Sequence, residues 1–283
     1  MVKIIDGKKI AEEIKQELKK DISALAKKGI IPALAVVLVG EDNASQIYVK
    51  NKERVAKELG INSQIIKLGD KTSQEELEKI IKKLNQDKNI HGILVQLPLP
   101  AQLDEKRIIN LIDPAKDVDC FHPENIGKMF IGNARFLPCT PAGIIELLKK
   151  SQIKISGEKI TIVGRSNIVG KPLALMLLNE NATVTICHSK TKNLKAETLQ
   201  ADILISAVGK AGLITADMVK KGATVIDVGI NRNAEGKLVG DVDFKEVSKI
   251  ASAITPVPGG VGPMTVAMLM KNVVKILNHD LLD

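Results

Sequence analysis

Residues 159–172 read Lys159-Ile160-Thr161-Ile162-Val163-Gly164-Arg165-Ser166-Asn167-Ile168-Val169-Gly170-Lys171-Pro172. The run Ile160 to Val163 has the pattern of a strand buried on both faces, as in a parallel sheet. Gly164 directly after it lets the backbone turn tightly and approach a phosphate. The apolar residues from Val169 to Leu178 fit a helix that offers its N-terminal amides to an anion at that turn. The two glycines lie six apart, so the spacing is not the GxGxxG of the dinucleotide fingerprint. A strand-to-helix turn without a ligand has the same pattern.

The alternation of strand and helix continues in both directions. Downstream, Thr183–Cys187, Ile203–Val208 and Thr224–Val228 read as further strands. Upstream, a helix is expected from Lys8 to Lys28, with Ile10, Ile14, Leu18, Ile22 and Leu25 as its apolar stripe and Gly29 ending it. Leu34–Val39 is a second buried strand, residues 43–59 a helix closed by Gly60, and Ser63–Leu68 a short strand. Ser73 with Glu76 forms a capping box for a helix to about Leu84. Gly92–Leu97 is a strand stopped by Pro98 and Pro100. Residues 113–140 read as loop-rich, residues 141–150 as a helix, and Thr255–Pro263 as a Pro/Gly-rich loop before a closing helix over 265–277 that Thr265 caps. The fold class is therefore α/β with mainly parallel sheets, in two domains joined by a hinge near residues 139–150. The first domain is expected to hold residues 1–140 and take back 265–283, and the second to hold 141–264.

Composition narrows the function classes. The chain has 283 residues, 45% hydrophobic, with no Trp, one Tyr and four Phe, so its core is aliphatic. No apolar run reaches the ~18 residues of a membrane span, and the N-terminus lacks the long apolar stretch of a secretory signal. Cys120, Cys139 and Cys187 are odd in number and widely spaced, which argues against a disulfide framework or a zinc site and for a reducing cytoplasm. The net charge is +8. Many of the lysines lie beside glutamates in helical patterns, as solvated faces do. Stacking aromatics are nearly absent, so a basic nucleic-acid-binding protein is the weaker reading. An anionic substrate or cofactor fits the same balance.

Several segments carry candidate chemistry. About 20 residues beyond Gly164, where a dinucleotide fold usually places an acidic residue for the ribose 2′-hydroxyl, the chain reads Cys187-His188-Ser189-Lys190-Thr191 with no carboxylate. Ser189, Lys190 and Arg165 suit a 2′-phosphate instead, favouring NADP over NAD. Ser45, Tyr48 and Lys52 fall on one helix face, where a desolvated lysine can serve in proton transfer. An amphipathic helix with a surface lysine reads the same way. Gln96 stands at the carboxyl end of a buried strand, where open α/β sheets place ligand groups. Asp117 and Asp119 supply loop carboxylates soon after.

Read together, these motifs resemble the bifunctional methylenetetrahydrofolate dehydrogenase/methenyltetrahydrofolate cyclohydrolase family. The carriers are Tyr48-Val49-Lys50-Asn51-Lys52, Gln96-Leu97-Pro98-Leu99-Pro100, Lys116-Asp117-Val118-Asp119, Pro138-Cys139-Thr140-Pro141, Gly164-Arg165-Ser166 with Val169-Gly170-Lys171-Pro172, Cys187-His188-Ser189-Lys190-Thr191, and the loop Pro256 to Thr265. They span essentially the whole chain in order. The resemblance implies a Rossmann-like NADP domain, an N-terminal folate-binding domain, and an active site in the cleft. It implies oxidation of 5,10-methylenetetrahydrofolate with NADP, then hydrolysis of the methenyl cation to 10-formyltetrahydrofolate, in one-carbon metabolism that serves purine synthesis. It implies that Lys52 is the catalytic lysine, that Gln96 tunes it, that Tyr48 packs on the folate, and that Asp119 anchors the pterin. Pro258, Gly259 and Gly262 match a loop that closes on the substrate, and Gly164, Arg165, Ser166, Ser189, Ile230 and Thr265 match cofactor positions. A homodimer is implied, with no metal, because an iminium-like carbon is already electrophilic. A dehydrogenase-only or NAD-using variant of the family is the nearest rival. One residue departs from the pattern: Cys120 follows Asp119 where the family usually has glycine, and a left-handed backbone there would strain it.

Overall fold

Apolar β-branched runs build the sheets, and glycines and caps cut the chain between them. In the computed structural model, which describes residues 2–279, the chain opens with β1 (Lys3–Ile4) and α1 (Gly7–Ala26). There follow β2 (Ala33–Val39), α2 (Asn43–Leu59), β3 (Asn62–Leu68), α3 (Gln74–Gln86), β4 (Gly92–Val95), α4 (Glu105–Leu111), α5 (Pro123–Phe130) and α6 (Cys139–Lys150). The second series is β5 (Lys159–Val163), α7 (Gly170–Asn179), β6 (Thr183–Cys187), α8 (Leu194–Thr198), β7 (Ile203–Ser206), β8 (Thr224–Asp227), β9 (Asn231–Arg232), β10 (Leu238–Val239), α9 (Phe244–Val247), β11 (Ala253–Ile254) and α10 (Val261–His279).

The chain forms two compact units. One is Glu13–Cys139 with the chain from Val266 onward; the other is Thr140–Thr265 with the first twelve residues. The first unit holds a three-stranded parallel sheet in the order β3-β2-β4. All seven residues of β2 are buried, as befits a central parallel strand. Ala35, Val37, Leu77, Ile81, Ile93 and Ile108 join in one apolar cluster. The second unit holds a six-stranded parallel sheet in the order β1-β11-β8-β7-β5-β6. The antiparallel pair β9–β10 stands apart from it.

Two expectations change, and two helices are added. The first twelve residues, expected with the first domain, join the second unit, because Lys3 and Ile4 pair in parallel with Ala253 and Ile254. The stretch 113–140 is not all loop: His122 accepts the Glu124 amide and Pro123 takes the first turn of α5, a helix start with its own cap. Residues 105–111 also form a helix, capped by Asp104 on the Arg107 amide at 3.1 Å. The last helix starts at Val261, so Thr265 lies inside it and caps nothing. Its hydroxyl instead meets that of Thr140 at 2.9 Å.

Candidate functional site

The local sequence fixes how α2 presents its side chains. Asp42 caps the helix by accepting the Ser45 amide at 2.7 Å, and Gly60 ends it at φ 79°. Ser45, Val49, Lys52, Ala56 and Leu59 form its buried face. Lys52 is 9% exposed, an unusual degree of burial for a lysine. Its Nζ donates to Gln96 Oε1 at 2.9 Å. Gln96 follows the end of β4, and its own Nε2 donates to Leu97 O at 2.7 Å, which turns the amide oxygen toward the lysine. Tyr48, one turn before Lys52, is half-buried, and burial raises its phenol above the ordinary value.

Asp119 completes this group. Burial pushes its carboxyl above the usual range, while the Lys52 ammonium and the Cys139 thiol pull it back. Its neighbour Asp117 serves the loop instead. Buried at 2% exposure, it accepts His122 N and Asn125 Nδ2, each at 2.9 Å, and so ties the loop down. Val118 between them is held by Asn272 of α10, whose Nδ2 donates to Val118 O at 2.8 Å and Leu137 O at 2.9 Å. Cys120 lies at φ 59° with its side chain fully buried, so the glycine-preferring conformation expected there is present in a residue that has a Cβ. The structure thus brings Lys52, Gln96 and Asp119 together, with Tyr48 on the same helix face.

The second unit presents its ligand edge at the carboxyl ends of its strands. In the order β6-β5-β7-β8, the chain leaves β5 to one side and returns on the other, which makes the β5/β7 boundary a topological switch point. Gly164 is φ 134°, and a Cβ there would stand 2.4 Å from Ala207 O. A Cβ at Gly170 would stand 2.2 Å from Gly164 O. Both glycines are needed for this close packing of turn, helix and neighbouring strand. The α7 amides are less available than the sequence suggests: Ser166 Oγ accepts Val169 N at 3.1 Å and Gly170 N at 3.3 Å, and Ser166 O accepts Lys171 N. Arg165, Ser166, Ser189, Lys190 and Ile230 are exposed. The bare turn at the switch point, with cations and a serine but no carboxylate at the end of β6, fits a dinucleotide that carries an extra phosphate.

The loop after β11 belongs to the same unit. Pro258 is exposed and follows a cis peptide, Gly259 is φ 112°, and Gly262 lies in the first turn of α10. Gly259 O accepts Lys8 N at 3.1 Å, and a Cβ at Gly7 would strike Gly260 O. The sequence reading did not single out Asp227 and Asp241, two buried carboxylates beside this edge. A signal was there: each is followed or preceded by glycine at a spot where a side chain has no room, Gly229 after Asp227 and Gly240 before Asp241. Among the described residues no group of three or more His, Cys, Asp or Glu is placed to hold a metal ion, and no helix is long and apolar enough to cross a membrane.

Residues 5–119 match the family model for the tetrahydrofolate dehydrogenase/cyclohydrolase catalytic domain, and residues 138–281 that for its NAD(P)-binding domain. The bifunctional protein FolD of Moorella thermoacetica is 60% identical over 272 residues, 96% of this chain and 97% of that protein. The crystal structure of the bifunctional FolD enzyme of Campylobacter jejuni aligns with a TM-score of 0.97 at 51% identity, covering 99% of this chain and 100% of the other. The Trypanosoma brucei enzyme, solved with NADP cofactor and an inhibitor, aligns with a TM-score of 0.96 at 38% identity, over 100% and 99% of the two chains.

Proposed function

Because the chain belongs to the tetrahydrofolate dehydrogenase/cyclohydrolase family, we propose that it oxidises 5,10-methylenetetrahydrofolate and then hydrolyses the methenyl product, with Lys52 at the centre of the second step. The observation that carries the assignment is the buried Lys52 Nζ held 2.9 Å from Gln96 Oε1. NADP, when bound, supplies the hydride acceptor. In the hydrolysis, water adds to the methenyl carbon, Lys52 Nζ takes a proton from that water, and a proton is delivered to the pterin-ring nitrogen as its bond to the carbon breaks. One proton is released overall, and the formyl group stays on the other nitrogen. Gln96 holds the lysine in place, Tyr48 offers its ring to the folate, and Asp119 accepts the pterin's N–H donors. Pro258 and Gly259 belong to the loop that closes on the substrate, with Gly262 in the first turn of the helix that follows it.

Gly164, Arg165, Ser166, Ser189, Ile230 and Thr265 hold the cofactor. Arg165 and Ser189 with Lys190 favour NADP over NAD, as the lack of a carboxylate at the end of β6 supports. Retention of Tyr48, Lys52 and Gln96 together argues against a dehydrogenase-only enzyme. The protein is a homodimer in this reading: β6 is an outer strand of its sheet and exposes Ile186, and α7 exposes Leu178. A solution mass near twice 30.6 kDa tests this. Three free, buried cysteines suit a reducing compartment, here the cytoplasm.

The decisive assay has two readouts, NADPH formation from methylenetetrahydrofolate and decay of methenyltetrahydrofolate. For Lys52→Ala the second is expected to fall at least ~100-fold, the size of general acid–base catalysis, and the first by much less. Unchanged methenyl hydrolysis would remove Lys52 from the role. In the same assay NADP is expected to outperform NAD at least ~10-fold in kcat/KM, the scale of one lost charged contact; equal use of both would refute the Arg165/Ser189 argument.

A further inference from the structure

Asp241 is fully buried, and five donors converge on its carboxylate. Oδ2 accepts Ser206 Oγ at 3.1 Å, Val208 N at 2.8 Å and Gly209 N at 3.3 Å. Oδ1 accepts Lys210 N at 2.9 Å and Asn231 Nδ2 at 3.0 Å. These donors come from the end of β7, from the loop that leaves it, and, past the loop that leaves β8, from Asn231 at the start of β9. Both loops lie on the carboxyl edge of the six-stranded sheet, and the first flanks the switch point beside Gly164. Asp227 holds Asp241 in turn: its carboxylate accepts the amides of Asp241 at 2.9 Å, Val242 at 3.0 Å and Gly229 at 3.0 Å. Neither carboxylate has a cationic side chain among these donors; N–H and O–H groups alone satisfy them. The room is closed as well, because a Cβ at Gly229 would stand 2.1 Å from Asp241 Oδ1 and one at Gly240 1.8 Å from Asp227 Oδ2.

A carboxylate is costly to bury unless its acceptors are filled. Five donors on one such group make a rigid joint, and the joint is made at the ligand edge and not in the core of the sheet. We infer that Asp241 is a positioning residue for the dinucleotide, fixing residues 207–210 and 229–231 as one ledge at the switch point. It touches no cofactor itself. The inference rests on the reading that this unit binds NADP, and it adds a residue that the sequence motifs for that site do not include.

The bifunctional chemistry supplies an internal control, since methenyl hydrolysis consumes no nucleotide. In Asp241→Asn either orientation of the amide turns an NH2 toward N–H or O–H donors, so the ledge loses its joint while the volume is kept. Ser206→Ala removes one of the five donors and leaves the charge. The absence of Trp leaves NADPH fluorescence free of tryptophan background, so the intact wild-type and variant proteins are titrated with NADPH and assayed for methenyl hydrolysis without nucleotide. The NADPH Kd is expected to rise at least tenfold in Asp241→Asn and about threefold in Ser206→Ala, with hydrolysis within twofold of wild type in both. An NADPH Kd within twofold of wild type in both variants overturns the inference. So does a fall of hydrolysis in step with NADPH binding, which marks a merely structural role. If Asp241→Asn fails to fold, Ser206→Ala decides on the same readouts. A wild-type protein that hydrolyses methenyltetrahydrofolate but does not bind NADPH overturns the cofactor reading instead, and the inference with it.

Discussion

Cys120 is placed at φ 59° by a loop whose other members are fixed. Asp117 accepts the His122 amide two residues after it, and Cys120 Sγ donates to Phe136 O at 3.4 Å. The left-handed conformation costs an L residue on the order of 1–2 kcal/mol, which glycine escapes. The thiol fills a buried site, so Cys120→Gly gains backbone relief and loses packing, whereas Cys120→Ala loses packing only. The glycine variant is therefore expected to be more stable than the alanine variant by about 1 kcal/mol, read from urea midpoints. Equal midpoints would mean that the loop relaxes its backbone at no cost. The sequence marks this position only through the family pattern that Cys120 breaks. Nothing local in Val118-Asp119-Cys120-Phe121 signals a positive φ.

At the scale of elements, the strands with continuous apolar runs were legible, because burial on both faces leaves no polar position to confuse the pattern. β2, β5, β7 and β8 fall within a residue or two of their expected ends. So does α2, whose start and stop are written in Asp42 and Gly60. The elements that escaped are short or are held by tertiary contacts: β1 and β11 are two residues each and exist only by pairing with one another and with β8. The start of α10 was hidden because Val261-Gly262-Pro263 reads as loop, although proline suits a first helical turn. The same limit applies to the carboxylates that end β8 and precede Val242, whose donors come from distant segments. Asp227 shows what this costs. Burial, with a smaller push from Asp241, raises its carboxyl to about 6 against three amide donors that lower it. The native state then holds a proton on Asp227 that the unfolded chain has lost between pH 4 and 6. Its contribution to stability is complete below about pH 4 and is lost as pH rises through about 6. Across that window the unfolding free energy of wild type should carry a falling component that Asp227→Asn lacks, seen by comparing urea midpoints at half-unit steps of pH. Parallel pH profiles for the two proteins would exclude this titration.

At the scale of the whole molecule, chain continuity and composition combine. All three transitions between the compact units fall inside helices, Glu12/Glu13 within α1, Cys139/Thr140 at the start of α6 and Thr265/Val266 within α10. Neither unit is a single stretch of chain, and neither can lose these helices without disturbing a segment of the other. The crossing at α1 was not legible in the sequence, because a two-residue strand carries too little pattern to announce its partner. The lone tyrosine makes the consequence measurable. Tyr48 lies in the unit Glu13–Cys139, and with no Trp in the chain its emission reports that unit alone. Helical circular dichroism reports both, since α6 and α7 lie in Thr140–Thr265 and α2 and α3 in the other. If the shared helices couple the units, tyrosine emission and helical ellipticity should trace one urea transition with a common midpoint and slope, the signature of cooperative unfolding. A tyrosine transition displaced from the ellipticity curve by more than the fitting error, or a biphasic ellipticity curve, would show that the helices are severed at the unit boundaries before either sheet melts.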